Sequence, residues 1–387
     1  MKETEFSNLI KNCYRLPWSL NNNPNGWIEP TTFCQLKCPG CYRGLDKDGA
    51  ARIHEDLEEM KKQVDQFLKT RNIETVSIAG GEPLLYPKLE ELISYIKSRG
   101  LKTRIFTNGA MLDEACLRKL KECGANEFVI HVDKFQVRDG LKYNSEAEAN
   151  KLRETYCNLF RKVGDVNIGF IQPFSKDTLS DVVEVLGFCK RNADIVSLIV
   201  FILYSDINWG SSLKSKIDTD ITVLDIVSRI SDKFNYMPSA YLGSTVDPND
   251  PTWLFSISVC FKDSDIGFFD GKFEEYIESR YYKRKGKYLI TKIGNDISVF
   301  KLAKLIKYKC VRNILKNYIT TLIKNPSKIK EDTFIQRTLI LRGPKLTSNG
   351  ERDLCAGCPD AMFYNNKLVP SCILEEIKLG KKINLKD

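Results

Sequence analysis

The chain of 387 residues reads as an α/β protein: a partial, TIM-like (β/α)6 barrel followed by a C-terminal α+β extension. Three observations predict this fold. Six short apolar or β-branched runs recur between residues 27 and 204. An amphipathic stretch with helical spacing separates each run from the next. That rhythm then stops at about residue 211.

The strands are expected at 27–33, 74–79, 102–106, 127–133, 165–172 and 195–204, with helices at 54–69, 87–99, 113–123, 145–162 and 178–190. Helical crossovers between successive strands imply a parallel sheet, and right-handed crossovers curl it into a full or partial barrel. Reactive residues should then lie on the loops that follow the strands. The expected divisions are a lead-in (1–26), the barrel (27–210) and an extension (211–387). The extension begins with a polar stretch and a helix at 222–235, and Val246-Asp247-Pro248-Asn249-Asp250-Pro251 is rich in turn formers. A hairpin around 253–290, a basic amphipathic helix around 298–324 and a cysteine-bearing loop at 355–372 complete it.

At 42% apolar and 28% charged residues, a chain of this length can bury a large core, which excludes a disordered protein. No apolar run reaches the about 18 residues a membrane-spanning helix needs, and no apolar targeting core opens the chain. A cytoplasmic protein is expected, with peripheral membrane contact as the variant. Thirteen cysteines exceed ordinary packing needs, and in a reducing compartment the clustered ones point to metal. The net charge of +9 favours anionic partners, but no nucleic-acid motif appears and none is expected as a partner.

Cys34, Cys38 and Cys41 fall within eight residues, directly after the first expected strand. Thiolates bind zinc or iron–sulfur clusters; structural zinc wants four protein ligands, and neither histidine, His54 or His131, lies in this loop. Three thiolates on a four-iron cluster leave one iron free to coordinate a cofactor directly. This Cys-x3-Cys-x2-Cys spacing, followed by the aromatic Tyr42, resembles the signature of the radical S-adenosylmethionine superfamily. The resemblance implies that the methionine end of S-adenosylmethionine chelates the open iron. One electron would then cleave a carbon–sulfur bond to give a 5′-deoxyadenosyl radical, with Tyr42 shielding the cluster.

The second strand ends in Gly80-Gly81-Glu82-Pro83, where glycines permit close backbone approach and the proline fixes the exit. It is similar to the Gly-Gly-Glu-Pro motif of the same superfamily, which implies recognition of the methionine ammonium by backbone carbonyls and Glu82. Thr107 and Asn108, after the third strand, are expected to line the cofactor site. After the fourth, Asp133 is assigned to a ribose hydroxyl and Arg138, with Lys134 second, to the cofactor carboxylate. His131 and Gln136 face cofactor or substrate, or His131 is held within the barrel. By resemblance Gln172 contacts ribose or carboxylate, and Ile202 or Leu203 covers adenine. His54 precedes an acidic first helical turn, where capping accounts for it, and Cys116, Cys123, Cys157 and Cys189 read as small buried hydrophobes.

A second knuckle, Cys355-x2-Cys358, is followed by Cys372. These thiols need a fourth ligand, for which Cys260 is preferred and Cys310 is the alternative. A hairpin thiol meeting a C-terminal knuckle is similar to the twitch and SPASM extensions, which hold auxiliary [4Fe–4S] clusters, although a full SPASM arrangement has more cysteines. One auxiliary cluster is therefore expected, two clusters in all, with a zinc knuckle as the alternative. If both Cys260 and Cys310 stood remote, an auxiliary cluster would keep an open iron able to bind substrate.

The expected function is hydrogen abstraction from a substrate C–H bond by a radical S-adenosylmethionine enzyme, leading to oxidation, coupling or rearrangement of a peptide or natural product. A flavodoxin or ferredoxin would supply electrons. The basic helix beginning Lys301-Leu302-Ala303-Lys304 makes a lipid or lipid-linked anionic substrate the first alternative, and a non-catalytic iron–sulfur or zinc scaffold is the alternative from another class. Only about 26 residues precede the first strand, which weakens a leader-peptide-dependent reading.

Overall fold

A computed structural model describes residues 1–45, 50–136, 138, 140–204, 217–289, 298–380 and 383. The chain opens with α1 (Glu3–Lys11) and the short strand β1 (Tyr14–Arg15). The expected alternation follows: β2 (Asn25–Thr31), α2 (Leu57–Thr70), β3 (Thr75–Gly80), α3 (Leu89–Ser98), β4 (Lys102–Thr107) and α4 (Glu114–Cys123). It continues through β5 (Ala125–His131), α5 (Asn150–Val163), β6 (Asn167–Phe174), α6 (Val182–Arg191) and β7 (Val196–Leu203). Two of these helices start on a side-chain cap: Asp56 accepts from the Glu58 and Glu59 amides, and Asp113 from that of Cys116. Asp56, and not His54, therefore caps α2; His54 stacks on Phe33 with ring centroids 4.3 Å apart.

Strands β2 to β7 pair in chain order, all parallel. The later chain supplies α7 (Val223–Phe234), β8 (Ala240–Gly243), β9 (Pro251–Cys260), β10 (Asp265–Phe268), α8 (Gly271–Lys285), α9 (Val299–Leu302), α10 (Lys309–Lys324) and β11 (Phe334–Leu341). β11 lies parallel beside β7, β9 antiparallel to β11, β8 antiparallel to β9, and β1 parallel to β8. The sheet so formed has eleven strands, with β10 paired to β9. The boundary expected at 210/211 lies outside the described residues, and one sheet carries strands from both sides of it.

Two expected elements differ. The hairpin ends at β10, and Gly271–Lys285 is helical because the Asp270 carboxylate caps the Phe273 amide and Gly286, at φ 65°, ends the last turn. The basic stretch is divided into α9, a 3₁₀ turn (Ala303–Leu305) and α10, whose Val311, Ile314 and Tyr318 are buried in a core shared with β9 and β10. The C-terminal loop contains a hairpin: after β12 (Lys345–Leu346) and β13 (Arg352–Asp353), β14 (Ala361–Tyr364) pairs with β15 (Lys367–Pro370).

The main core fills the space between sheet and helices around residues such as Phe67, Phe128, Phe160 and Phe170. The other face of the sheet is concave and encloses a cavity of about 370 Å³. Alternate residues of each strand face it. Ile171, Val200, Leu339 and Phe255 stand in register across four strands and form an apolar belt around it.

Candidate active site

Six thiols line this cavity: Cys34, Cys38 and Cys41 from the loop after β2, and Cys355, Cys358 and Cys372 from the C-terminal segment. The first loop is seated by glycines. The amide of Gly81 donates to the Thr31 carbonyl at 2.8 Å and that of Glu82 to the Phe33 carbonyl at 2.7 Å. A Cβ on Gly81 would lie 2.2 Å from the Phe33 carbonyl oxygen, so only glycine permits this contact. The Asn108 amide nitrogen stands 3.8 Å from Cys34 Sγ and that of Gln136 3.7 Å from Cys38 Sγ, each donating towards sulfur.

The flanking carboxylates are committed to protein donors. Glu82, fully buried, accepts from Thr107 Oγ1 (2.6 Å), the Asn108 amide (2.7 Å) and the Leu84 amide (3.0 Å). Burial raises its proton affinity above the ordinary range in spite of these donors. It ties β3 to β4 and stays off the cavity wall, in contrast with the expected ammonium contact, whereas Gly80 and Gly81 line the wall. Pro83 is buried at the start of a 3₁₀ turn. Asp133 likewise stands behind the wall: it accepts from Tyr204 (2.9 Å) and the Phe135 amide (2.5 Å) and faces His131 Nε2 at 3.1 Å, so it orients His131 and Tyr204, which do line the cavity.

Arg138 is spent on the carbonyls of Asn108 (2.6 Å) and His131 (2.9 Å) and on Gln136, joining the ends of β4 and β5 and not facing the cavity. Lys134 covers the Phe135 ring. Gln172 also departs from expectation. Ile171 and Pro173 face the cavity, so strand alternation turns Gln172 outwards to the buried Arg153. Thr107, Asn108, Ile202 and Leu203 line the cavity. Tyr42 donates to Glu29 at 2.9 Å; Trp27 shares that carboxylate at 2.8 Å and Arg43 pairs with it at 2.9 Å, which fixes the ring beside Cys41.

The second triad gathers where Cys355 and Cys358 share a thiol hydrogen bond, which lowers Cys355 to about 7 and raises Cys358. Cys372 and the cavity-lining Asp360 are within electrostatic reach. The loop is anchored by Arg71, fully buried, which donates to the carbonyls of Leu20, Asn25, Cys358, Pro359 and Ala361. Neither expected fourth ligand arrives. Cys260 is at the far end of β9 from Trp253, the neighbour of Cys355, seven residues or roughly 23 Å along the strand. Its thiol points to the Phe334 carbonyl, and Cys310 is buried in the α10 core. Among the described residues no three His, Cys, Asp or Glu side chains converge on a point that would hold one metal ion. A [4Fe–4S] cluster presents a separate iron to each thiolate, so its ligands ring a volume instead of converging on a point.

A parallel (β/α)6 sheet with three thiols on its first strand-end loop and a Gly-Gly-Glu-Pro loop beside them defines a radical S-adenosylmethionine domain. Residues 28–189 match the model of the Radical SAM superfamily, so this part of the chain is a radical SAM domain. It is 27% identical over 176 residues to a probable GTP 3′,8-cyclase of Methanococcus vannielii, covering 45% of this chain and 58% of that one. It is 27% identical over 136 residues to a PqqA peptide cyclase of Granulibacter bethesdensis, covering 35% and 36%. Among solved structures, SuiB of Streptococcus suis bound to the precursor peptide SuiA is similar over 55% of this chain and 45% of that one, with 17% identity and a TM-score of 0.42. The chain spans about half the length of the curated relatives it matches first.

Sequence reasoning missed Glu29, Arg71, Arg104, Tyr204, Arg337 and Asp360. For Arg104 a signal existed: it shares the inward parity of Phe106 on a strand otherwise suited to burial.

Proposed function

We propose that this chain abstracts a hydrogen atom from a substrate held inside the barrel, for C–H oxidation, coupling or rearrangement, and that an auxiliary [4Fe–4S] cluster on Cys355, Cys358 and Cys372 assists. The observation that carries this reading is the single cavity shared by both cysteine triads. With cluster and S-adenosylmethionine bound at Cys34, Cys38 and Cys41, the site gains a carbon-centred radical strong enough to take hydrogen from an unactivated C–H bond. The protein supplies the rest. Gly80 and Gly81 offer backbone to the methionine end, His131 and Tyr204 are set by Asp133, and Leu203 with Ile202 covers the adenine. The apolar belt holds the target bond in place and keeps water from the radical.

With Cys260 and Cys310 remote, the auxiliary cluster would keep one coordination position open to the cavity, for substrate or for an electron leaving it. An external one-electron donor, flavodoxin or ferredoxin, completes the cycle. A twitch-like extension is the family counterpart of this arrangement. The relatives do not select the substrate, since one is named a GTP cyclase and another a peptide cyclase.

Anaerobically reconstituted protein should convert S-adenosylmethionine to 5′-deoxyadenosine and methionine without substrate, slowly. Replacing Cys34, Cys38 or Cys41 by Ala should abolish this and replacing Cys355 or Cys358 should leave part of it; intact cleavage in the first three variants refutes the assignment. About eight irons per chain supports two clusters, and about four with one zinc supports a zinc knuckle.

A peripheral membrane reading has one observation in its favour. While α10 buries one apolar face, Ile319, Ile323 and Ile329 are 55%, 75% and 65% exposed among lysines. No helix among the described residues is long and apolar enough to cross a membrane. Binding to anionic but not neutral vesicles, lost when Lys316 and Lys324 become Glu, is the expected result; no binding at low salt returns the helix to packing alone.

A further inference from the structure

We propose that the deep wall of the cavity is an oxyanion-binding subsite built on Arg104, and that the substrate carries a carboxylate or phosphate at one end of an apolar body. This rests on the reading that substrate occupies the barrel cavity.

On this wall two guanidinium groups meet at one buried carboxylate. Arg104 lies on β4 in register with Glu127 on β5, and its Nε donates to the Glu127 carboxylate at 2.5 Å. The same carboxylate pairs with Arg337 of β11 at 3.0 Å and accepts from Ser197 Oγ at 2.8 Å. Burial disfavours an ionised Glu127, but the two guanidinium groups and Ser197 outweigh it and hold Glu127 below the usual carboxylate range. The one Glu127 carboxylate is thus shared by two guanidinium groups.

Of the guanidinium groups lining this wall, Arg104 has the least engaged outer edge. Arg337 also points to the Ser197 carbonyl, and Arg342, higher on the wall, is paired with Asp250 and Asp353 at 2.7 and 2.6 Å. Among the described residues, the terminal amino groups of Arg104 have no hydrogen-bonding or ion-pair partner. Its side chain is only 9% exposed and borders the cavity next to Trp27, Phe106 and Leu198. Asp360 stands within electrostatic reach without pairing. A guanidinium edge facing an apolar cavity is costly to leave unmatched, and its planar fork suits the two oxygens of a carboxylate or phosphate.

The subsite is distinct from the cofactor's position. Asn108, which contacts Cys34, comes four residues after Arg104, a strand rise of roughly 13 Å. An anion on Arg104 would leave the apolar body of the substrate extending along the belt towards the first cysteine triad.

The test uses full-length, anaerobically reconstituted enzyme saturated with S-adenosylmethionine, titrated by calorimetry with naphthylacetate, naphthyl phosphate and neutral naphthylacetamide. At least one anion should bind about tenfold or more tightly than the amide, and which anion does so separates carboxylate from phosphate recognition. Arg104→Gln should remove that preference. Where the glutamine variant does not fold, Arg104→Lys serves: a fall in anion affinity with amide affinity unchanged supports the subsite, and no fall overturns it. Equal binding of anions and amide by wild-type enzyme also overturns it. So does an Arg104→Gln variant that loses affinity for S-adenosylmethionine as steeply as for the anion, since Arg104 would then serve the cofactor. Wild-type cleavage of S-adenosylmethionine, measured separately, reports on the radical reading itself, so the two can fail independently.

Discussion

The two cysteine triads share one cavity, yet they are held by opposite means. Around Cys34, Cys38 and Cys41 the chain uses close backbone packing against Gly80 and Gly81 and amide donors aimed at sulfur, while nearby carboxylates are spent on backbone and hydroxyl groups. Around Cys355, Cys358 and Cys372 a single guanidinium, Arg71, gathers carbonyls from three separate stretches of chain. The first arrangement surrounds its three thiols with short contacts. The second fixes a remote loop against the barrel, leaving its chemistry to Cys355, Cys358, Cys372 and Asp360. One site is therefore sensitive to small steric changes, and the other depends on one buried cation.

Removing that cation should have the largest effect. Arg71→Met leaves five buried carbonyl groups without their donor, and the loss should be about 3 kcal/mol or more of folding stability, read from the denaturant midpoint. Iron should fall to roughly half through loss of the proposed second cluster, with cleavage of S-adenosylmethionine retained in part. If iron at the first triad is lost instead, the two supports are not separate.

The reach of the sequence follows the same division. The βα alternation was legible because each crossover helix carries its own periodicity, and two of the five carry their own side-chain caps, at Asp56 and Asp113. β11 was not: its apolar run is interrupted by Gln336 and Arg337, whose partners on β5 to β7 are distant in sequence. Both cysteine triads were legible from local spacing, but the fourth ligand was not, since no local rule says which end of β9 faces Cys355. Residue type was also insufficient for Gln172, Asp133 and Arg138. Strand alternation and hydrogen bonding to neighbouring loops, which are tertiary facts, turn them away from the cavity.

A smaller perturbation isolates the first triad. In Gly81→Ala the added methyl would meet the Phe33 carbonyl at 2.2 Å, so the cysteine loop must move. The expected outcome is loss of the first cluster and of S-adenosylmethionine binding, with iron again near half but the melting temperature lowered less than in Arg71→Met. Gly350→Ala serves as control, since nothing lies within 4 Å of its Cβ position, although its φ of +81° brings a modest strain of its own. Loss of iron from the second triad in Gly81→Ala would break the distinction drawn between the two sites.

The finest test leaves the loop in place and changes only one donor. Gln136 donates towards Cys38 Sγ through Nε2 while its Oε1 accepts from Arg138. Gln136→Glu preserves the contact with Arg138, removes the donor to sulfur and introduces a negative charge beside the cluster. Both changes disfavour the reduced, more negative state, so the midpoint potential should move in the negative direction. A hydrogen bond contributing about 1 kcal/mol corresponds to roughly 40 mV for one electron, which redox titration followed by electron paramagnetic resonance resolves. The proposed second cluster, whose thiols make no contact with Gln136 among the described residues, should keep its potential. A shift of the second centre alone would mean that the signal had been assigned to the wrong triad; a positive shift of the first would mean that Gln136 does not donate to its sulfur.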